Sequence, residues 1–140
     1  MPRALAASFA DRLSVIRYED AIRQGKTEDE ALKVGDKGTG VSGQDTTSSD
    51  TPMCALPQTA WTRMWGNRFL AMGRQVAVTY KGKTVIGQLI DTMPSHPKSG
   101  AQIYLNPGFA KAFGLSGPFT IWVSWEWSGS GGLKQLPSIL

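Results

Sequence analysis

The chain has very few of the residues that bind metals or form covalent intermediates. Its 140 residues include one cysteine, Cys54, and one histidine, His96. A single cysteine excludes an internal disulfide and a cysteine-based zinc cage, and we expect it to be a small buried hydrophobe. One histidine with scattered acids supplies too few ligands for a metal site. We therefore expect no metal and no cofactor.

Long apolar runs and clusters of basic charge are also missing. No stretch approaches the length of a membrane helix, and the short N-terminal apolar stretch is interrupted by Asp11, so we read no signal peptide. The net charge is +4, yet Lys and Arg form no stripe of the kind that binds nucleic acid. We expect no membrane span and no nucleic-acid partner, and the localisation stays open. The charge fits ordinary solubility or weak attraction to an anionic polymer such as a bacterial wall.

The composition divides the chain near Gly35. Before it, apolar side chains recur at helical spacing, at Leu5, Phe9, Leu13 and Ile16. Thr27 and Glu30 form the pattern of a capping box at the start of another helix. We predict a helical N-terminal arm over residues 1–35, which either packs on the main domain or docks into a larger assembly.

Residues 36–128 are predicted to form the main domain. Residues 36–52 are small, polar and glycine-rich, which indicates a loop. Next comes a helix in "PQTAWTRMWGN", with Trp61, Met64 and Trp65 on one face. Two strands flank the turn at Lys81-Gly82 and predict a hairpin. "AQIYL" is a short strand, and "NPGFAKAFGL" is a helix capped by Asn106.

"PFTIWVSWEW" is predicted to be the final strand. By the two-residue period, its barrel-core face carries Ile121, Val123, Trp125 and Trp127. Trp122 falls on the opposite face and is the better candidate for stacking on a sugar. Residues 129–140 are predicted to be a flexible tail whose leucines can bind a neighbouring surface.

The order of these segments resembles the six-stranded double-psi β-barrel of rare-lipoprotein-A-like proteins, expansins and related endoglucanases. Three segments carry the resemblance: "GRQVAVTYKGKTVIGQLIDTMP", "AQIYLNPGFAKAFGL" and "PFTIWVSWEW". It covers roughly residues 38–127. The implied fold class is mainly β, a double-psi β-barrel with short helices and the N-terminal helical arm.

The resemblance implies a role directed at cell-wall glycans, including lytic transglycosylase activity. Asp91 matches the acid of the group's Asp-x-Gly-Pro loop and is expected to act as acid and base. Where the group carries a second acid, this chain has Tyr104. We assign catalysis to Asp91 with His96, and substrate binding to Tyr104, Thr92 and Trp122. A second catalytic acid is left open among Asp45, Asp50 and Glu126.

Three functions remain open at this point. The first is a wall-glycan-cleaving enzyme that uses Asp91. The second is a barrel that binds glycan without cleaving it. The third is a structural subunit of a phage virion or similar assembly, held to its neighbours by the arm and the tail. In the first two cases the partner is peptidoglycan or a related glycan.

Overall fold

A computed structural model describes residues 3–40 and 43–128. Within them, six strands form a closed barrel: β1 (Arg3–Ser8), β2 (Met53–Pro57), β3 (Gln75–Tyr80), β4 (Lys83–Met93), β5 (Ile103–Leu105) and β6 (Thr120–Trp127). The helices are α1 (Arg12–Arg23), α2 (Glu28–Leu32), α3 (Gln58–Trp65), α4 (Arg68–Ala71) and α5 (Pro107–Phe113). Around the barrel the strands follow the order β1-β5-β2-β4-β3-β6.

The strand pairing has an internal symmetry. β1 runs parallel to β5 and β2 runs parallel to β4, while the other neighbouring pairs are antiparallel. Exchanging β1, β2 and β3 with β4, β5 and β6 leaves this set of pairings unchanged. Two interlocked halves of three strands are expected of a double-psi barrel, so the predicted fold class is confirmed.

The barrel interior is filled by aliphatic side chains and one aromatic ring from a helix. Fully buried members of this core are Leu56, Val76, Val78, Leu89, Ile103, Leu105 and Phe109. Phe109 comes from α5 and lies against β4 at Gly87, where an added Cβ would stand 2.5 Å from its ring. A side chain at Gly87 would therefore displace the ring from the core.

Local signals in the sequence correctly placed several turns and caps. Lys81 and Gly82 both have positive φ (47° and 81°), as the two central residues of a type I′ hairpin turn require. The Thr27–Glu30 capping box is present at α2. Asn106 caps α5 by accepting a hydrogen bond from the Phe109 N–H at 3.1 Å. These predictions are confirmed.

The prediction of an entirely helical arm is wrong for residues 3–8. These residues form β1, which pairs with β5 and β6 and closes the barrel. Leu5 and Phe9 fit a helical period, but within β1 the buried side chains are those of Ala4, Ala6 and Ala7, and Leu5 is only partly buried. Helices α1 and α2 follow as expected.

Two other segments differ from expectation. β2 was not predicted, because its five residues, with Pro57 at the end, give no clear alternation. In α3, Trp61 is buried and Trp65 packs on the core, but Met64 is 53% exposed. The predicted tail over residues 129–140 lies outside the described residues.

No helix among the described residues is long and apolar enough to cross a membrane.

Candidate active site

An irregularity in strand pairing determines where Asp91 lies. Cys54 of β2 pairs with Leu89 of β4, but the next residue, Ala55, pairs with Asp91. β4 therefore contains one extra residue, Ile90, as in a β-bulge. Because Leu89 faces the core, regular alternation would turn Asp91 inward as well. The bulge instead places the carboxyl on the outer side, beside Ala55.

Asp91 is partly buried in this position, and its ionisation is altered. Burial raises the pKa of Asp91 to about 6, although a backbone hydrogen bond from the Thr92 N–H opposes the rise. The charge of Asp36 adds to it. A carboxyl with a pKa near neutrality is able both to donate and to accept a proton at ordinary pH.

Tyr104 lies across Ala55 from Asp91. Ala55 pairs with Asp91 on one side and with Tyr104 of β5 on the other, and Tyr104 in turn pairs with Ala7 of β1. Ala55 and Ala7 are small and buried in a second apolar cluster, against which the Tyr104 ring packs with Phe9. The outer face of the barrel thus has an acid and a phenol on either side of the buried residue Ala55.

Asp36 is the residue of this site that sequence reasoning missed. Burial raises its pKa, with a smaller contribution from the charge of Asp11, while the Gly38 N–H donates to its carboxylate at 2.7 Å. Its charge in turn raises the pKa of both Asp91 and Tyr104. In the sequence, Asp36 lies in the glycine-rich segment "DKGTG", which reads as a linker. The signal in the sequence is that Asp36 lies between the end of a helix and two closely spaced glycines, Gly38 and Gly40, which indicates a tightly packed loop.

The loop that carries Asp36 is packed directly against the end of β4. A Cβ added at Gly40 would lie 2.3 Å from the backbone oxygen of Ile90, the residue before Asp91. A hydrogen bond from the Thr46 N–H to the Gly38 oxygen holds the two sides of the loop together. Only glycine permits so close a backbone approach, and the loop covers the strand where the bulge occurs.

Tyr104 is also affected by its surroundings. Burial is the main cause that raises the pKa of Tyr104, and a hydrogen bond with Ser99 opposes this rise. The phenol therefore keeps its proton throughout the ordinary pH range. A phenol that keeps its proton can donate a hydrogen bond, but it is a poor second acid near neutral pH.

The other predicted site residues lie elsewhere. Thr92 follows Asp91 but pairs with the core residue Leu56, and it lines a separate cavity at the end of the barrel. His96 is exposed in the loop after β4. Trp122 is 52% exposed on β6, with the Arg3 guanidinium 4.7 Å from its ring centroid. In the closed barrel β3 lies between β4 and β6, so Trp122 is on a strand that does not pair with the strand of Asp91.

The three acids left open as a second catalytic group are surface residues. The Asp45 carboxylate accepts hydrogen bonds from Thr47, which lower its pKa. Asp50 is exposed and forms an ion pair with Lys111 at 3.2 Å. Glu126 is exposed on β6. Of the acids discussed, Asp36 is the one whose charge acts on Asp91.

The chemistry available at this site is proton transfer. Among residues 3–40 and 43–128, no group of three or more His, Cys, Asp or Glu side chains is placed to hold a metal ion. Cys54 is fully buried in the barrel, and burial raises the pKa of its thiol, which disfavours the thiolate. Asp91 therefore remains the group best placed for acid and base chemistry.

No family model matches the chain, and no curated protein matches it. Twelve chains of solved structures match, among them the Streptomyces papain inhibitor, with a TM-score of 0.42 and 29% identity over 64% of this chain and 84% of that chain. A TM-score this low does not establish a common fold, so the barrel described above rests on the chain's own strand pairing. Membership of a family stays a proposal.

Proposed function

We propose that this chain is a double-psi barrel of the rare-lipoprotein-A-like group that acts on cell-wall glycan, with Asp91 as acid and base. The observation that carries the proposal is the partly buried Asp91 carboxyl on the outer face of the barrel, whose pKa is raised to about 6. The resemblance in "GQLIDTMP" supplies the substrate class. The raised pKa supports a role for Asp91 as general acid and base, which an exposed aspartate with an ordinary pKa does not perform near neutral pH.

One carboxyl is sufficient for the lytic transglycosylase reaction. Protonated Asp91 donates its proton to the glycosidic oxygen as the C1–O bond breaks. The resulting carboxylate then removes the proton from the 6-hydroxyl of the same sugar, whose oxygen forms a new bond to C1. The proton count balances, no water is consumed, and the product ends in a 1,6-anhydro ring. A pKa of about 6 suits both steps because each protonation state is populated near neutrality.

Two residues near Asp91, the acid Asp36 and the phenol Tyr104, support this assignment in different ways. Asp36 adds negative charge, which favours the protonated form of Asp91 before the first step. Tyr104 keeps its proton and lies on the other side of Ala55, where it can donate a hydrogen bond to a sugar oxygen.

A second candidate function is glycan binding without cleavage. The observation in its favour is Tyr104, which stands where the resembled group carries an acid and is held protonated by its burial. Such a barrel would sediment with peptidoglycan and release no fragments.

Clearing of purified peptidoglycan tests the proposal. The native chain is expected to reduce the turbidity of the suspension, and Asp91→Asn is expected to lose this activity while still sedimenting with the wall. Glu126→Gln removes a carboxylate from the exposed face of β6 and is the matched control, with activity expected to be retained. Binding without clearing by the native chain would favour the second candidate.

A further inference from the structure

A cavity lies at the end of the barrel, next to the proposed catalytic site but separate from it. Its volume is about 420 Å³, within the range of small-molecule sites. Leu56 of β2 pairs with Thr92, and α3 begins two residues later, so the cavity opens where β2 and β4 end. Its polar and aromatic lining comes from Gln58, Trp61, Thr62, Asn67, Arg68 and Thr92.

Trp61 of the cavity lining carries an indole N–H that has no hydrogen-bond partner among the described residues. The residue is only 6% exposed, and the N–H itself is buried. Buried N–H groups are nearly always paired, and an unpaired one calls for a ligand or a water. Within residues 3–40 and 43–128, two other buried side-chain polar atoms lack partners, Thr46 Oγ1 and Trp65 Nε1, but neither residue lines this cavity.

The remaining lining is also rich in donors. Gln58, Arg68 and Asn67 carry N–H groups, and the Asn67 oxygen is already used to accept the Leu70 N–H at 3.0 Å. No carboxylate belongs to the lining that the described residues form. Thr62 and Thr92 add hydroxyls. A ligand here must therefore offer several acceptor oxygens on a compact body.

From these contacts we propose that the cavity binds an N-acetylhexosamine residue of the glycan strand, beside the sugar that Asp91 acts upon. The inference rests on the proposed function for the identity of the ligand. The acetamido carbonyl and ring hydroxyl oxygens are acceptors for the Trp61 N–H and the amide groups. Thr92 connects the two sites, since its backbone N–H donates to Asp91 at 2.9 Å while the residue lines the cavity.

The test is a titration of full-length Asp91→Asn with chitotetraose, followed by ¹H–¹⁵N spectra of the indole groups. This background keeps the probe intact. The Trp61 indole cross-peak, assigned from its absence in Trp61→Phe, is expected to shift saturably. Trp61→Phe is expected to raise the Kd about 3- to 10-fold, as loss of one hydrogen bond implies. Thr84→Val, at an exposed residue of the β3–β4 hairpin outside the cavity lining, is the control and should leave the Kd unchanged.

Because Trp61 is also part of the core, Thr62→Val provides a second variant on the exposed side of α3, with an expected rise in Kd of about 2- to 5-fold. An unmoved Trp61 cross-peak, in a chain whose native form cleaves walls, would overturn this inference and leave the proposed function intact. An equal response to maltotetraose, which lacks acetamido groups, would also overturn it. A specific shift from chitotetraose in a chain that cleaves no wall would support the cavity and reject the cleavage.

Discussion

Asp91 and Tyr104 lie on opposite sides of Ala55, and each pairs with it across a boundary between strands. The acid reaches the outer face of the barrel only because the extra residue Ile90 in β4 reverses the alternation of faces. The proposed chemistry therefore depends on one bulge as much as on one carboxyl. The following predictions separate the contributions of the acid, its charged neighbour, the loop and the phenol.

Asp91→Asn is expected to stabilise the fold by about 1–2 kcal/mol at pH 7 and above, because it removes a charge that is costly to bury. This magnitude is the free-energy equivalent of the rise in the Asp91 pKa, reduced because the carboxyl is partly exposed. The folded-state pKa, about 6, lies above the ordinary value of 3.8, so the folded chain binds more protons between these values. Stability of the native chain therefore falls as pH rises from about 4 to about 6. Urea unfolding at pH 4 and pH 7.5 measures this difference. Equal stabilities of the two proteins at both pH values would contradict the burial of the carboxyl.

Asp36→Asn is expected to lower the pKa of both Asp91 and Tyr104, because it removes a negative charge that acts on both groups. Carboxyl ¹³C shifts followed through a pH titration report the pKa of Asp91. Asp45→Asn, in the same loop but exposed, is the matched control. If both variants lowered the Asp91 pKa equally, the cause would be the change in net charge and not the position of Asp36.

Gly40→Ala is expected to destabilise the chain by about 1–3 kcal/mol, since its Cβ would overlap the Ile90 backbone oxygen. The loop must move away from β4, which gives Asp91 more water and lowers its pKa. Denaturant unfolding together with the same ¹³C titration measures both effects. An unchanged Asp91 pKa in a destabilised variant would show that the loop does not govern the site.

Tyr104→Phe is expected to reduce wall clearing about 2- to 10-fold, as loss of one hydrogen bond to the substrate predicts, and to leave the Asp91-dependent product unchanged. The ring and its packing on Phe9 are retained in this variant. Initial rates of turbidity loss at equal protein concentration provide the measurement. A rate equal to that of the native chain would remove Tyr104 from the site.

Local chemistry made part of this fold predictable from the sequence. The Lys81-Gly82 turn, the Asn106 cap and the alternating core face of β6 each depend on residues close together in the chain. β1 was not predictable in the same way, because its pairing partners β5 and β6 are about 100 residues away. Tertiary pairing there overrode a spacing that favours a helix.

Of the residues that form the candidate site, Asp91 is the one whose importance was clearest from the sequence. The run "GQLIDTMP" identified Asp91, but not the bulge that turns it outward, since a register shift depends on β2 as well as on β4. Asp36 was missed because 55 positions separate it from Asp91 and only the folded loop makes its charge act there. His96 was proposed for its nearness in sequence, and it occupies an exposed loop.

The most direct test of Asp91 as a wall-glycan acid and base is mass spectrometry of the fragments released from purified peptidoglycan at pH 6. The native chain is predicted to release muropeptides with 1,6-anhydro ends, and Asp91→Asn is predicted to release none. Release of the same products by both proteins, or of no fragments by the native chain between pH 4.5 and 7.5, would contradict the account.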